Sequence, residues 1–217
     1  LDALSVHIGS QILSDVPYKK MLNVMSNLIR ELQLDLKFLD LGGGFGISYN
    51  KKDKPIDLKK YSESVYKLAK KLKCKIIFEP GRSIIGDTGV LLSKIQYIKK
   101  GVKKDFVIID AGMNDFMRPA LYDAVHKIIP TKKSNSKLKG VIEFVGPICE
   151  STCKFGSYKN YQKMNENDFV AITNVGAYGS SLSSNYNSRP LIAELLVNKN
   201  KLKYIRKKQD LLKLINS

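Results

Sequence analysis

Three short apolar runs, each closing on glycine or proline and separated by stretches of helical spacing, most constrain the fold of this 217-residue chain. Leu4-Ser5-Val6-His7-Ile8, Phe38-Leu39-Asp40-Leu41 and Lys75-Ile76-Ile77-Phe78-Glu79 read as buried strands, because each is brief, apolar and ends at a breaker. Between them, residues 18–34 carry Met21, Val24, Met25, Leu28, Ile29 and Leu32 at helical spacing. Residues 58–72 do the same with Tyr61, Val65, Leu68, Ala69 and Leu72. Strand–helix–strand–helix–strand is the unit of a parallel sheet, and such sheets place ligand sites just past the C-terminal ends of their strands.

From about Gly89 the rhythm changes. Segments 90–99, 105–110, 140–145, 168–173 and 193–197 read as strands, and 201–205 pairs with the last of them across Asn198-Lys199-Asn200. No long helix intervenes, so this half is expected to be mostly antiparallel. Residues 132–139 read as a polar loop and 210–215 as a short closing helix. The expected division is 1–88, an α/β part, and 89–217, a β-domain. Three αβ strands cannot close an eight-stranded barrel, which takes about 250 residues. The first residue is Leu rather than Met, so the expectation is that Leu1 is internal to a longer protein and that further strands lie upstream of it.

Composition narrows the partners. Lys and Arg number 37 against 20 Asp and Glu, a formal charge of +17, which invites a nucleic-acid reading. Only Arg30, Arg82, Arg118, Arg189 and Arg206 are arginines, and the lysines are spread over the whole length. Nucleic-acid readers use Arg forks and basic stretches interleaved with aromatics, whereas a diffuse lysine coat reflects solvated faces. Where nearly every positive charge is Lys, a retained Arg points to a position that needs a planar bidentate donor. No run of about 18 apolar residues exists to span a membrane. The three cysteines are too few for a disulfide framework, no signal-like segment is present, and no Cys/His spacing completes a zinc site. The expectation is a cytoplasmic protein without metal.

The chemistry-bearing groups follow the strands. Gly42-Gly43-Gly44-Phe45-Gly46 lets backbone N–H groups approach a phosphate, and a tight structural turn explains it equally well. It lacks the Gly-Lys-Ser/Thr ending of a P-loop, and Ile47 breaks the GxGxxG pattern. Glu79-Pro80-Gly81-Arg82 sets an acid and an Arg on one turn. Following Ile76-Ile77-Phe78 directly, Glu79 is expected at the inner mouth of the sheet, where a buried carboxylate needs a cationic partner such as a protonated heterocyclic nitrogen. His7 likewise ends an apolar run, beside Gly9 and Ser10.

In order, His7-Ile8-Gly9-Ser10-Gln11, the glycine cluster, Glu79-Pro80-Gly81-Arg82, the segment Asp110-Ala111-Gly112-Met113-Asn114-Asp115-Phe116-Met117-Arg118-Pro119-Ala120-Leu121-Tyr122, Gly146-Pro147-Ile148-Cys149-Glu150-Ser151 and Gly176-Ala177-Tyr178 resemble the diaminopimelate decarboxylases. These belong to the barrel-fold group of pyridoxal-phosphate decarboxylases, and the similarity runs over essentially the whole chain. It implies the C-terminal part of a (β/α)8 TIM-type barrel followed by a mostly antiparallel β-domain, in a homodimer with shared active sites. It implies decarboxylation of meso-2,6-diaminopimelate to L-lysine and CO2 with pyridoxal 5'-phosphate. His7 would stack on the cofactor ring. Ser10, the Gly43-Gly44 backbone, the Pro80-Gly81-Arg82 turn and the Tyr178 hydroxyl would hold its phosphate, and Glu79 would pair with the pyridine nitrogen. Arg82, Arg118 and Tyr122, with Tyr178 beside them, would hold the substrate's far carboxylate and Glu150 its far ammonium. Cys149 would be the proton donor, reaching with Glu150 into the partner subunit's site.

No lysine in the chain stands in the context of the family's Schiff-base lysine, which is expected upstream of Leu1, so these residues alone are expected to be inactive. An ordinary thiol, with a pKa of about 8.5, is mostly protonated at neutral pH and suits the donor's role. Decarboxylases of carboxynorspermidine, ornithine or arginine are the nearest alternatives, but a purely cationic far end calls for carboxylates alone. Diaminopimelate presents an ammonium and a carboxylate, matching an acid together with Arg. A non-catalytic truncated homologue is the other alternative.

Overall fold

The computed structural model describes residues 1–50 and 52–216, which form two compact units, Leu1–Thr88 and Gly89–Ser217. Among the described residues no helix is long and apolar enough to cross a membrane, and no three His, Cys, Asp or Glu side chains gather as metal ligands.

In the first unit, strands β1 (Ala3–Ser5), β2 (Phe38–Asp40) and β3 (Lys75–Ile77) lie side by side in that order, all parallel. Helix α1 (Asp15–Glu31) starts at Ser14, whose hydroxyl accepts from the Val16 N–H, and helix α2 (Leu58–Leu72) at Asp57, which accepts from Lys60. α2 buries Tyr61, Val65 and Leu68, as its spacing predicts. α1 buries Met21, Met25 and Ile29 of the expected stripe, but its inward face is rotated to take in Tyr18 and Leu22, leaving Val24, Leu28 and Leu32 exposed. Tyr18 accounts for the rotation. It packs on Phe45 and Tyr61, and its hydroxyl donates to the Gly43 carbonyl at 2.9 Å, so the inward stripe runs from this residue.

The outer strands are shorter and wetter than the sequence predicts. β1 ends at Ser5, so His7 lies exposed on the following loop instead of ending a buried strand. β3 ends at Ile77, and Glu79 is exposed instead of sitting at a buried inner mouth. The cause is position in the sheet. β3 is its last strand among the described residues, so Ile77 and Phe78 beside Glu79 are themselves about 40% exposed.

The second unit is built on a six-stranded sheet. Its strands are β4 (Val90–Lys99), β5 (Asp105–Ile109), β6 (Ile128–Pro130), β7 (Val141–Val145), β8 (Lys154–Lys159) and β9 (Phe169–Thr173), in the order β6-β9-β4-β5-β7-β8. Only β5 and β7 pair parallel. β4 runs against both β9 and β5, so β9, β5 and β7 all point the same way and release their following loops at one end of the sheet. Helix α3 (Arg82–Ile85) closes the first unit and α4 (Arg118–Tyr122) follows β5. A separate hairpin, β10 (Glu194–Asn198) with β11 (Lys201–Arg206), turns at Lys199 and leads to α5 (Leu211–Ile215). The core holds Ile95, Val107, Ile109, Ile142, Phe144, Val170 and Ile172, drawn from the alternating inward positions of four strands.

Candidate active site

In the first unit the loops after the three parallel strands touch one another through their backbones. The Gly43 N–H points at His7 Nδ1 at 3.4 Å, and the Glu79 N–H donates to the Gly42 carbonyl at 2.9 Å. This contact orients the His7 ring against the glycine turn. The glycines are dictated by this crowding. A Cβ on Gly43 would lie 2.1 Å from the Glu79 carbonyl oxygen, and one on Gly44, at φ +88°, 2.2 Å from the Gly9 carbonyl. The Gly42 N–H is held by Asp40 Oδ1 at 2.9 Å. The cluster is therefore a packing turn that aims its neighbours, in addition to any part in binding an anion.

Beside it, the Arg82 guanidinium donates to Ser10 Oγ at 3.1 Å and to the Tyr49 hydroxyl at 2.5 Å. A Cβ at Gly9 or Gly81 would meet no atom within 4 Å, so the backbone next to these donors is open. A guanidinium and a hydroxyl set side by side along an open glycine backbone suit a phosphate group. Tyr49, which also lies under the guanidinium at 5.7 Å from its ring centre, was not legible from the motifs. Nothing in its local sequence marks it.

In the second unit the residues of interest sit on the three loops leaving the common end of β5, β7 and β9. The loop after β5 is tied down at its start, where Ser93 Oγ and the Lys94 N–H both bind Asp110 Oδ1, at 2.6 and 2.9 Å. The Gly112 N–H donates to Asp115 Oδ2 at 2.8 Å, and Phe116 is buried with its ring edge-on to His126. This anchoring delivers Arg118 to the first turn of α4. Arg118 is 6% exposed, with its guanidinium 5.9 Å from the centre of the Tyr178 ring, a cation–π placement that suits a desolvated arginine. Tyr178 itself adopts φ +62°. For a bulky side chain that backbone is strained, and such strain concentrates at functional sites. Tyr122, by contrast, is well exposed at the far end of α4.

The loop after β7 carries Cys149 and Glu150, both exposed, at a tight turn closed by Glu150 N–H to Ile148 O and Cys153 N–H to Glu150 O. Cys153 is buried and packs its sulfur 3.3 Å from the Met113 N–H, which joins this loop to that of Arg118. Glu150 accepts a 2.5 Å hydrogen bond from the Tyr186 hydroxyl. The carboxylate raises the phenol's pKa, since it stabilises the protonated ring oxygen. Within the first unit His7 meets the glycine loop and Arg82 meets Ser10; within the second, Arg118 lies against Tyr178, and the loop of Cys149 and Glu150 touches the loop after β5 through Cys153 and Met113.

Residues 15–176 match the family model for the C-terminal sheet domain of pyridoxal-dependent decarboxylases. The chain is 41% identical over 207 residues to the diaminopimelate decarboxylase of Aquifex aeolicus, covering 94% of this chain and 49% of that protein. It is 42% identical over 217 residues to that of Helicobacter pylori, covering 97% and 53%. A crystal structure of the Helicobacter pylori enzyme complexed with L-lysine superposes with a TM-score of 0.88 at 39% identity, over 99% of this chain and 54% of that one. The chain spans about half the length of the curated relatives it matches.

Proposed function

We propose the function from one premise: the chain belongs to the family of pyridoxal-dependent decarboxylases. The protein it comes from decarboxylates meso-2,6-diaminopimelate to L-lysine and CO2. The observation that carries this reading is that the second unit supplies both a buried arginine, Arg118, and an exposed acid held by a hydrogen bond, Glu150. An arginine and an acid together match the carboxylate and ammonium of a free amino-acid head.

The parallel strands β1–β3 are read as part of an eight-stranded α/β barrel, a reading supported by the βαβαβ order and by the length of the relatives. The first unit is the cofactor side. Ser10, the Gly43-Gly44 backbone and the Pro80-Gly81-Arg82 turn hold the phosphate, an assignment supported by the Ser10–Arg82 donor pair and the open backbone at Gly81. His7 offers a ring face, held in place by Gly43, and the Glu79 carboxylate keeps the pyridine nitrogen protonated. Pyridoxal 5'-phosphate, when bound, supplies the sink for the electron pair left as CO2 departs.

The second unit is the substrate side. Arg118 takes the far carboxylate with a planar fork, Tyr122 assists, and Tyr178 gives the fork a rigid floor. Glu150 takes the far ammonium. Cys149, exposed on the same turn, holds the proton that the reacting carbon must receive. The working form is a homodimer in which Cys149 and Glu150 serve the partner's site.

Replacing Glu150 by Ala in the full-length protein tests the assignment. It removes a charged partner, so kcat/KM for diaminopimelate is expected to fall roughly 10- to 150-fold, while the cofactor's absorbance spectrum stays as in the wild type. Loss of the cofactor band on this substitution would place Glu150 on the cofactor and overturn its role.

A further inference from the structure

The segment from Ser183 to Pro190 holds one of only five arginines and has no part in the function described so far. The structure ties it to both substrate-side loops. At its start the Ser184 N–H donates to the Asn114 carbonyl at 2.9 Å. At its end Arg189 donates from Nε to Asn114 Oδ1 at 3.0 Å and from Nη2 to the Asp110 carbonyl at 2.8 Å, with Asp115 Oδ2 3.6 Å away. Asn114 and Asp115 are buried, so this junction is held on the loop that delivers Arg118. Between the two anchors the chain makes a tight turn, with Asn187 and Ser188 at φ +60° and +53°. Asn185 braces it by donating to the Arg189 carbonyl at 2.8 Å and to Gln209 Oε1 at 2.6 Å. From this turn Tyr186 reaches out and donates to Glu150 Oε1 at 2.5 Å.

We propose that residues 184–189 are a positioning strap from which Tyr186 orients the Glu150 carboxylate. The proposal rests on the substrate reading above. A carboxylate on an exposed turn samples many rotamers. Donation to Oε1 selects one of them and leaves Oε2, which has no protein partner among the described residues, for the ammonium. Because the strap is anchored on the loop after β5, the orientation of the Glu150 carboxylate is set by protein contacts before substrate arrives, which is how preorganisation raises affinity. Both anchors come from the same chain as Glu150, so the carboxylate keeps its orientation wherever the loop is presented. Tyr186 is a positioning residue: it touches Glu150 and not the substrate.

The test is a double-mutant cycle in the full-length enzyme with Tyr186→Phe and Glu150→Ala, read by steady-state kinetics and by an ultraviolet titration of phenol ionisation. Tyr186 is exposed and Phe keeps its ring, so folding is not at stake. Tyr186→Phe is expected to raise KM for diaminopimelate roughly 3- to 10-fold, as for the loss of one solvent-accessible hydrogen bond. It leaves kcat and the cofactor spectrum unchanged, and costs nothing further once Glu150 is Ala. In the titration, Glu150→Gln is expected to lower the pH at which the Tyr186 phenol ionises, identified as the signal missing from Tyr186→Phe. Additive effects in the cycle, or a fall in kcat with unchanged KM, would overturn the positioning role. A wild-type enzyme that does not turn over diaminopimelate removes the substrate reading instead, and the strap then stands or falls on the titration.

Discussion

Cys149→Ala in the full-length enzyme is expected to lower kcat for diaminopimelate about 100-fold or more, with KM changing far less. A positioned proton donor contributes on the order of 10²–10⁴-fold to a rate, and its contribution is made only once CO2 has begun to leave. The geometry suits this role. Of the three cysteines, Cys149 is the exposed one, at the tip of a turn pinned by Ile148, Cys153 and Tyr186, while Cys153 is buried and Cys74 half-buried. Two small residues on the same loop are thus separated by function: Cys153 packs, Cys149 faces solvent. Stopped-flow and steady-state measurements on the variant check this, and an unchanged kcat would return Cys149 to the status of a bystander.

Arg118→Lys is the second large effect, with kcat/KM expected to fall roughly 10- to 150-fold despite the retained charge. Lysine cannot form the two parallel donors that a carboxylate accepts from a guanidinium, and its compact, strongly hydrated ammonium fits poorly where Arg118 is 6% exposed over the Tyr178 ring. The contact with the Tyr178 ring is a second contribution that Lys also weakens. Tyr178→Leu, which removes the ring while leaving the guanidinium, separates the two contributions by its smaller effect on KM. Circular dichroism and a melting curve matching wild type identify the loss as one of recognition. A silent Arg118→Lys would mean that no carboxylate is gripped there.

Much of this was legible because two periodicities are strong. The short apolar runs and the α2 stripe needed no tertiary information, and neither did β4, β5, β7 and β9, which are rich in β-branched residues. What failed did so for local physical reasons. Val24, Leu28 and Leu32 were wrongly placed on the inward face of α1 because Tyr18, a polar-tipped residue at its start, is completely buried to reach Gly43. β8 escaped notice because Gly156, at φ +147°, interrupts a stretch otherwise framed by lysines. The motifs flagged Arg118, Glu150 and Tyr178, yet not the contacts that hold them. Asn114, Asp115, Tyr186 and Arg189 lie up to 75 residues apart in the chain, and only the scarcity of arginine hinted at the last of them.

The central claim is substrate identity, and it is tested by one side-by-side comparison of substrates. The full-length protein, loaded with pyridoxal 5'-phosphate, is given meso-2,6-diaminopimelate, carboxynorspermidine, ornithine and arginine separately, and CO2 release is followed for each. Pairing of an acid with an arginine predicts kcat/KM for diaminopimelate at least about 100-fold above every other substrate, since each alternative leaves a charged, desolvated group of the site without its partner. Equal or faster release from carboxynorspermidine or ornithine would contradict the claim and identify the second unit as a site for a purely cationic substrate.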